Sequence, residues 1–214
     1  MSTATASRFH RDLLTWGDAN RRDFIWRRTD DPFVVLVSEI LLQRSRGKTV
    51  ALVASELFRR FPDASALSRA RVSSIESVIR PLGLIRRAPL LKALANAILA
   101  RGSVPDSFDD LVALPAVGPY AANATLAVAF GKRAPVVDGV TARVYRRYFA
   151  LAADAPASID AELWRVVEEA TPTQEVRQWN WAVLDLASTI CLPKVPRCEE
   201  CPLQGHCAWS VAHR

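Results

Sequence analysis

An all-α fold is what this sequence predicts, and three observations predict it. Apolar residues recur at three- and four-residue spacing in one segment after another. No stretch of useful length alternates apolar and polar residues as a half-buried strand would. Glycine is scarce, 8 residues in 214, too few for a turn-dense β fold. The elements follow in order. Phe9, Leu13, Leu14 and Trp16 make one short amphipathic face. Asp30-Asp31-Pro32 is a helix start, an acid able to cap followed by proline at the first helical position, and it opens an apolar helix from Phe33 to Arg44. Val50, Val53, Ala54, Leu57 and Phe58 make the next, ended near Phe61-Pro62. Shorter helices follow at Ala64 to Arg69 and at Val72 to Ile79, the latter stopped by Pro81. Leu90 to Leu99 is closed by Gly102, and Phe108 to Leu114 leads through a tight turn into Pro119 to Phe130. Gly139 to Phe149, Ala161 to Ala170 and Trp179 to Ile190 complete the series. There is no internal repeat and no linker.

Composition removes whole classes of function. Half the residues are hydrophobic and 23% are charged, which excludes a collagen-like, low-complexity or disordered chain. Neither a dinucleotide nor a P-loop glycine motif occurs. The best apolar run, Phe33 to Leu42, is interrupted by Ser38 and Glu39, short of the ~18 residues of a membrane span. Met1 to Leu14 holds no uninterrupted apolar stretch of a signal peptide. We therefore expect a cytoplasmic, monomeric protein with no membrane partner. The net charge is +6, and only four of the 28 basic residues are lysines (Lys48, Lys92, Lys132, Lys194). An arginine-borne positive charge suits a polyanion, of which nucleic acid is the commonest in a cell, although an ordinary basic enzyme has the same balance.

All four cysteines, Cys191, Cys198, Cys201 and Cys207, fall in the last 24 residues, spaced C-x6-C-x2-C-x5-C. A reducing compartment makes disulfides the weaker reading. Four thiolates in one short segment suit an iron–sulfur cluster or a zinc ion that staples a piece of chain too small for its own core. Plain thiols are the third reading of the same spacing. The basic Lys194, Arg197 and His206 nearby could face phosphates or simply water.

Leu114-Pro115-Ala116-Val117-Gly118-Pro119-Tyr120 lies between two expected helices. Gly118 offers backbone freedom, and Pro119 opens the next helix without wasting a donor. A helix start of this kind presents N–H groups to a phosphate oxygen. Contacts through the main chain alone would ignore base sequence. An ordinary helix–helix connection would look the same.

Leu114 to Ala124, Val136-Val137-Asp138-Gly139 and the cysteine spacing together resemble the helix-hairpin-helix DNA glycosylase superfamily, which includes endonuclease III, the adenine glycosylases and the thymine mismatch glycosylases. Trp26-Arg27, Ser38 to Gln43 and Leu82-Gly83-Leu84 fit in the same order, so the resemblance covers most of the chain from about residue 24 to 207. It implies a two-lobed fold with double-stranded DNA and the target base between the lobes. Residues 25–134 would form a helical barrel lobe carrying the hairpin, and residues 1–24 with 135–214 a cluster lobe. It also implies a [4Fe-4S] cluster on Cys191, Cys198, Cys201 and Cys207, in a loop over 191–207, and nucleoid-associated work in base excision repair.

The resemblance assigns roles as well. Asp138, ahead of Gly139 at an expected helix start, matches the catalytic aspartate, a fixed anion beside the sugar cation; by itself it also reads as an N-cap. Glu39 is a lone acid in an apolar run, where a buried carboxyl holds its proton more readily. In relatives lacking a catalytic lysine, a glutamate of this motif contacts the extruded base. Read plainly, Glu39 would instead be a half-exposed polar position. Tyr120 stands where strand-nicking members carry a lysine, and a phenol cannot form a Schiff base. A monofunctional, water-using glycosylase follows, unless Tyr120 is merely a core aromatic. Gln43 and Leu84 match residues pushed into the duplex, though Gln43 could be surface and Leu84 core. The stretch after Leu84 is about one residue shorter than the pattern. Arg44, Arg46 and Lys48 would follow the backbone, and Leu114, Val117, Gly118 and Tyr120 the phosphate turn.

Two substrates compete. Val137-Asp138-Gly139 and Cys201-Pro202-Leu203-Gln204 look like the adenine enzymes. The end of the chain seven residues after Cys207, and Leu84-Ile85 in place of paired tyrosines, point away from them. Compact length, Glu39 and Tyr120 favour thymine or uracil opposite guanine. The same residues also admit a strand-nicking lyase using another lysine, such as Lys48 or Lys132, and a DNA-binding module without catalysis.

Overall fold

The computed structural model describes residues 3–213, with side chains from residue 7 onward. Met1, Ser2 and Arg214, which end the expected cluster lobe, lie outside the described residues. In chain order the helices are α1 (Thr3–Asn20), α2 (Pro32–Leu42), α3 (Gly47–Arg60), α4 (Ala64–Arg69), α5 (Val72–Ile79), α6 (Ala88–Arg101), α7 (Phe108–Val112), α8 (Pro119–Val128), α9 (Gly139–Phe149), α10 (Ala161–Ala170), α11 (Val176–Thr189) and α12 (Ala208–Ala212). Among the described residues no strand occurs, and no helix is long and apolar enough to cross a membrane. The fold is all-α. The chain divides into two compact units: Asp23–Phe130, and the described residues of Met1–Arg22 with Gly131–Arg214.

In the Asp23–Phe130 unit, α2 is the core. Asp31 caps it by accepting from the Phe33 N–H at 2.8 Å, with Pro32 in the first turn. Val35, Leu36, Val37, Ile40 and Leu41 are buried, and so are Ser38 and Glu39. A helix buried on every side is a central helix rather than an amphipathic surface one, and α3 and α8 pack against it. Truncating one of its buried leucines to alanine would cost about 2–5 kcal/mol. The expected helix to Arg44 stops earlier, at Leu42. Gln43 leaves helical geometry and Arg44 takes a left-handed φ of 57°, which no continuing helix permits. Likewise α7 ends at Val112 and α8 at Val128, two residues short of the expected ends in each case.

The other unit gathers aromatic rings where the first had aliphatic chains. Phe9 of α1 meets Trp179 edge-on at 5.2 Å and Tyr145 at 5.8 Å, an arrangement favoured by ring quadrupoles. α1 and α11 come close at Gly17, where a Cβ would lie 2.6 Å from that of Ala182, so any side chain there would push the helices apart. Beyond α1, the buried Asp185 accepts from the Arg22 backbone N–H at 3.0 Å and its Nε at 2.6 Å. A buried carboxylate needs such a pairing.

Candidate functional site

The sequence-predicted residues separate into two groups, one in each unit. The first is a hairpin, α7 packed on α8, joined by the turn Leu114–Val117, which the Val117 N–H closes onto the Leu114 carbonyl at 3.2 Å. Here the expectation for Gly118 needs correcting. Its φ of −97° is one any residue adopts, and the left-handed residue is Ala116, with φ 64°. Proline second and a positive φ third mark a type II turn, whose third position usually takes glycine or asparagine, and this chain meets it with alanine. Gly118 serves differently. It is the N-cap of α8, gives no side-chain cap, and a Cβ on it would meet nothing within 4 Å, so the helix start is open. Leu114 and Val117 are buried and anchor the turn, while Tyr120 is half-buried on the first turn of α8.

Glu39 is 7% exposed, so a half-exposed position does not describe it. It sits on α2, one turn ahead of Gln43. Because α8 packs on α2, Glu39 and Tyr120 ride on neighbouring helices. Gln43 is half-buried and Arg44, Arg46 and Lys48 are exposed. Leu84 is half-buried ahead of a 3-10 turn, Ile85–Arg87, and is not part of the buried core.

The second group begins at Asp138, the N-cap of α9. Its Oδ1 accepts from the Val140 and Thr141 N–H groups, both at 2.8 Å, and its own N–H donates to the Thr141 hydroxyl at 2.9 Å. This is a complete capping box, and the bonds of the described residues leave Oδ2 out of it. The segment leading in is fixed by Asn180, buried on α11, whose amide donates to the Ala134 carbonyl and accepts from the Val136 N–H, both at 3.1 Å. Sequence reading overlooked Asn180, because an asparagine inside a helical run carries no periodic signal of its own.

Cys191, Cys198, Cys201 and Cys207 line one small cavity together with Arg147 and Trp209. Burial pushes the Cys201 thiol up to about 12, and raises Cys207 for the same reason. Among the described residues, no three His, Cys, Asp or Glu side chains stand as ligands of a metal ion. Two arginines of α9, also overlooked, brace this segment. Arg143 donates to the carbonyls of Ala187 and Cys191, each at 2.8 Å. Arg147 donates to Leu192 and Pro193 carbonyls at 2.7 and 2.8 Å, and reaches the Cys191 Sγ at 3.4 Å. Their signal was an arginine pair at i and i+4 after Asp138. Of the basic residues in the cysteine segment, Arg197 faces Glu200 at 3.9 Å and His206 meets Arg8 at 3.2 Å.

Known proteins match the chain across both groups. The thymine/uracil-DNA glycosylase of Methanothermobacter thermautotrophicus is 34% identical over 92% of this chain and 90% of its own. The adenine DNA glycosylase of Mycolicibacterium smegmatis is 36% identical over 94% of this chain and 69% of its own. The solved structure of a thermostable thymine-DNA glycosylase superposes with a TM-score of 0.91 at 32% identity, covering 98% of both chains. With residues 37–169 matching the family itself, the chain belongs to the HhH-GPD superfamily of base excision DNA repair proteins.

Proposed function

We propose that this chain is a monofunctional DNA glycosylase that removes thymine or uracil mispaired with guanine from double-stranded DNA. The observation that carries the reading is the match to the M. thermautotrophicus thymine/uracil enzyme, which runs across nine-tenths of both chains. A base within a duplex is out of reach, so the nucleotide must be extruded. In this reading the open start of α8 at Gly118 holds a phosphate through main-chain N–H groups, with Leu114 and Val117 anchoring the turn that presents it. Gln43 and Leu84 fill the space left in the stack, and Arg44 follows the backbone. Breaking the C1′–N1 bond leaves positive charge on the sugar and sends the electron pair to the base. Asp138 is the fixed anion for that charge, its Oδ1 held by the helix and its Oδ2 kept for the reaction. Glu39 contacts the extruded base and can supply a proton. Tyr120 offers no amine, so water adds at C1′, gives up a proton and leaves the strand intact.

Residues 25–134 are the barrel lobe of this reading, and 1–24 with 135–214 the cluster lobe; the division of the chain at Arg22/Asp23 and Phe130/Gly131 supports it. The donor set also fits a [4Fe-4S] cluster, since four thiols line one cavity whose walls hold no carboxylate or imidazole. Cys191, Cys198, Cys201 and Cys207 would hold it. When bound, it ties a segment that has little core of its own. The enzyme acts as a monomer, on the DNA of the nucleoid. Adenine removal is the second reading, favoured by the 36% identity to the adenine DNA glycosylase.

One panel of duplexes tests both readings: G·T, G·U, adenine opposite oxidised guanine, and oxidised pyrimidines. We expect release from G·T and G·U, with strand cleavage only after alkali. The purified protein should carry the visible absorbance of an iron–sulfur cluster and about four irons per chain. Release confined to adenine would favour the second reading. Nicking without alkali, or a borohydride-trapped adduct, would overturn the monofunctional one.

A further inference from the structure

Both proposed wedges lie in the Asp23–Phe130 unit, and one side chain joins them. Arg87 closes the 3-10 turn after Leu84, its backbone N–H donating to the Leu84 carbonyl at 2.9 Å. Its guanidinium crosses to the end of α2. Nη1 donates to the Ile40 carbonyl at 2.8 Å and, more weakly, to that of Leu41 at 3.3 Å, while Nη2 donates to the Gln43 carbonyl at 2.6 Å. A helix ends with four carbonyls that lack an intrahelical donor. That of Leu42 takes the Ser45 N–H at 3.0 Å, and Arg87 serves two of the others together with the exit residue. The arrangement holds a cation where one is disfavoured: burial, and then the neighbouring Arg44, lower the pKa of Arg87. Acceptors spread over four residues need a planar fork, which a lysine's single ammonium cannot reproduce. The same turn of α2 carries Glu39, one turn before Gln43.

We propose that Arg87 is a positioning residue for base extrusion: by tying the Leu84 turn to the Gln43 exit of α2, it sets one spacing for both wedges and makes them enter the duplex together. The inference rests on the glycosylase reading above, with Gln43 and Leu84 as the inserted side chains. Its test uses the full chain and a G·U duplex with 2-aminopurine beside the uracil, whose fluorescence rises as the stack opens. Wild-type protein should give a rise ahead of base release. Arg87→Lys and Arg87→Gln should slow that rise by about tenfold or more, since misplacement by an ångström costs up to ~10²-fold, with lysine the milder. Adding Arg87→Gln to a variant that lacks both wedges, Gln43→Ala with Leu84→Ala, should slow it no further, because Arg87 acts only through the two side chains it positions. Helix content and melting temperature establish that each variant is folded at the assay temperature, and the lysine variant keeps both charge and stem should the glutamine one not fold. A role confined to stability would lower the melting temperature and leave the rise at its wild-type rate, and that result overturns the proposal. Base release by wild type with no fluorescence rise would remove the wedges and the proposal with them. No release from any duplex would instead remove the glycosylase reading.

Discussion

Two helix starts in this chain use the same dipole in opposite ways. At α9 the protein supplies its own anion: Asp138 occupies the first N–H groups with Oδ1. At α8 it supplies none: Gly118 gives no side-chain cap, and nothing lies within 4 Å of where a Cβ would stand. Since a helix N-terminus carries roughly half a positive charge, the α8 start is left without an anion of its own, whereas the α9 start fixes one in place. In the proposed reading the difference has a purpose: Asp138 is a charge delivered to the substrate, and the uncapped α8 start awaits a charge from it.

The largest expected effect comes from separating charge from cap at α9. Asparagine caps as well as aspartate, so Asp138→Asn should melt close to wild type. Its single-turnover base release should fall by at least ~10²–10³. Retained activity would reduce Asp138 to a structural cap and end the contrast. A smaller effect is expected when α8 is made to resemble α9. Gly118→Asp places a carboxylate where the backbone is already extended and space is open. The variant should keep or gain stability and bind duplex more weakly. The slope of log affinity against log salt should shrink by about one, the mark of a single lost phosphate contact. An unchanged slope would take the phosphate away from α8.

How much of this was legible beforehand depends on whether the determining contact is local. Asp31-Pro32 reads as a helix start because cap and proline act within three residues, and Asp138-Gly139 is legible for the same reason. The run from Val34 to Leu42 reads as apolar, and its burial around Glu39 follows from that run. Ala116 escaped because nothing in alanine announces a left-handed φ; the turn imposes it, and glycine two places on was the natural guess. Arg87 escaped because its partners lie 44 to 47 residues away and are main-chain carbonyls, which no residue type encodes. The end of α2 was misjudged for a related reason, since its cap comes from that distant guanidinium rather than from a neighbouring glycine.

Asp160 offers the control on the α9 comparison, being a second N-cap aspartate in the same unit. It caps α10 by accepting from the Leu163 N–H at 3.0 Å and pairs with Arg146 at 2.6 Å. The Arg146 hydrogen bond, followed by that from Leu163, lowers its pKa below the ordinary aspartate value. A carboxylate depressed in the folded state stabilises the fold above its unfolded pKa, and that contribution fades as pH falls through the folded one. Asp160→Asn preserves the cap and removes only the charge. It should therefore leave base release near wild type and lower the melting temperature slightly at neutral pH. The gap should close as the solution is acidified below the ordinary aspartate range, where the carboxylate takes up its proton. A gap that stays constant through that acidification would mean that the charge contributes nothing and the cap geometry everything. An equal loss of base release in Asp160→Asn and Asp138→Asn would mean that any disturbance of this unit's caps impairs the reaction, and Asp138 would lose its claim to a role of its own.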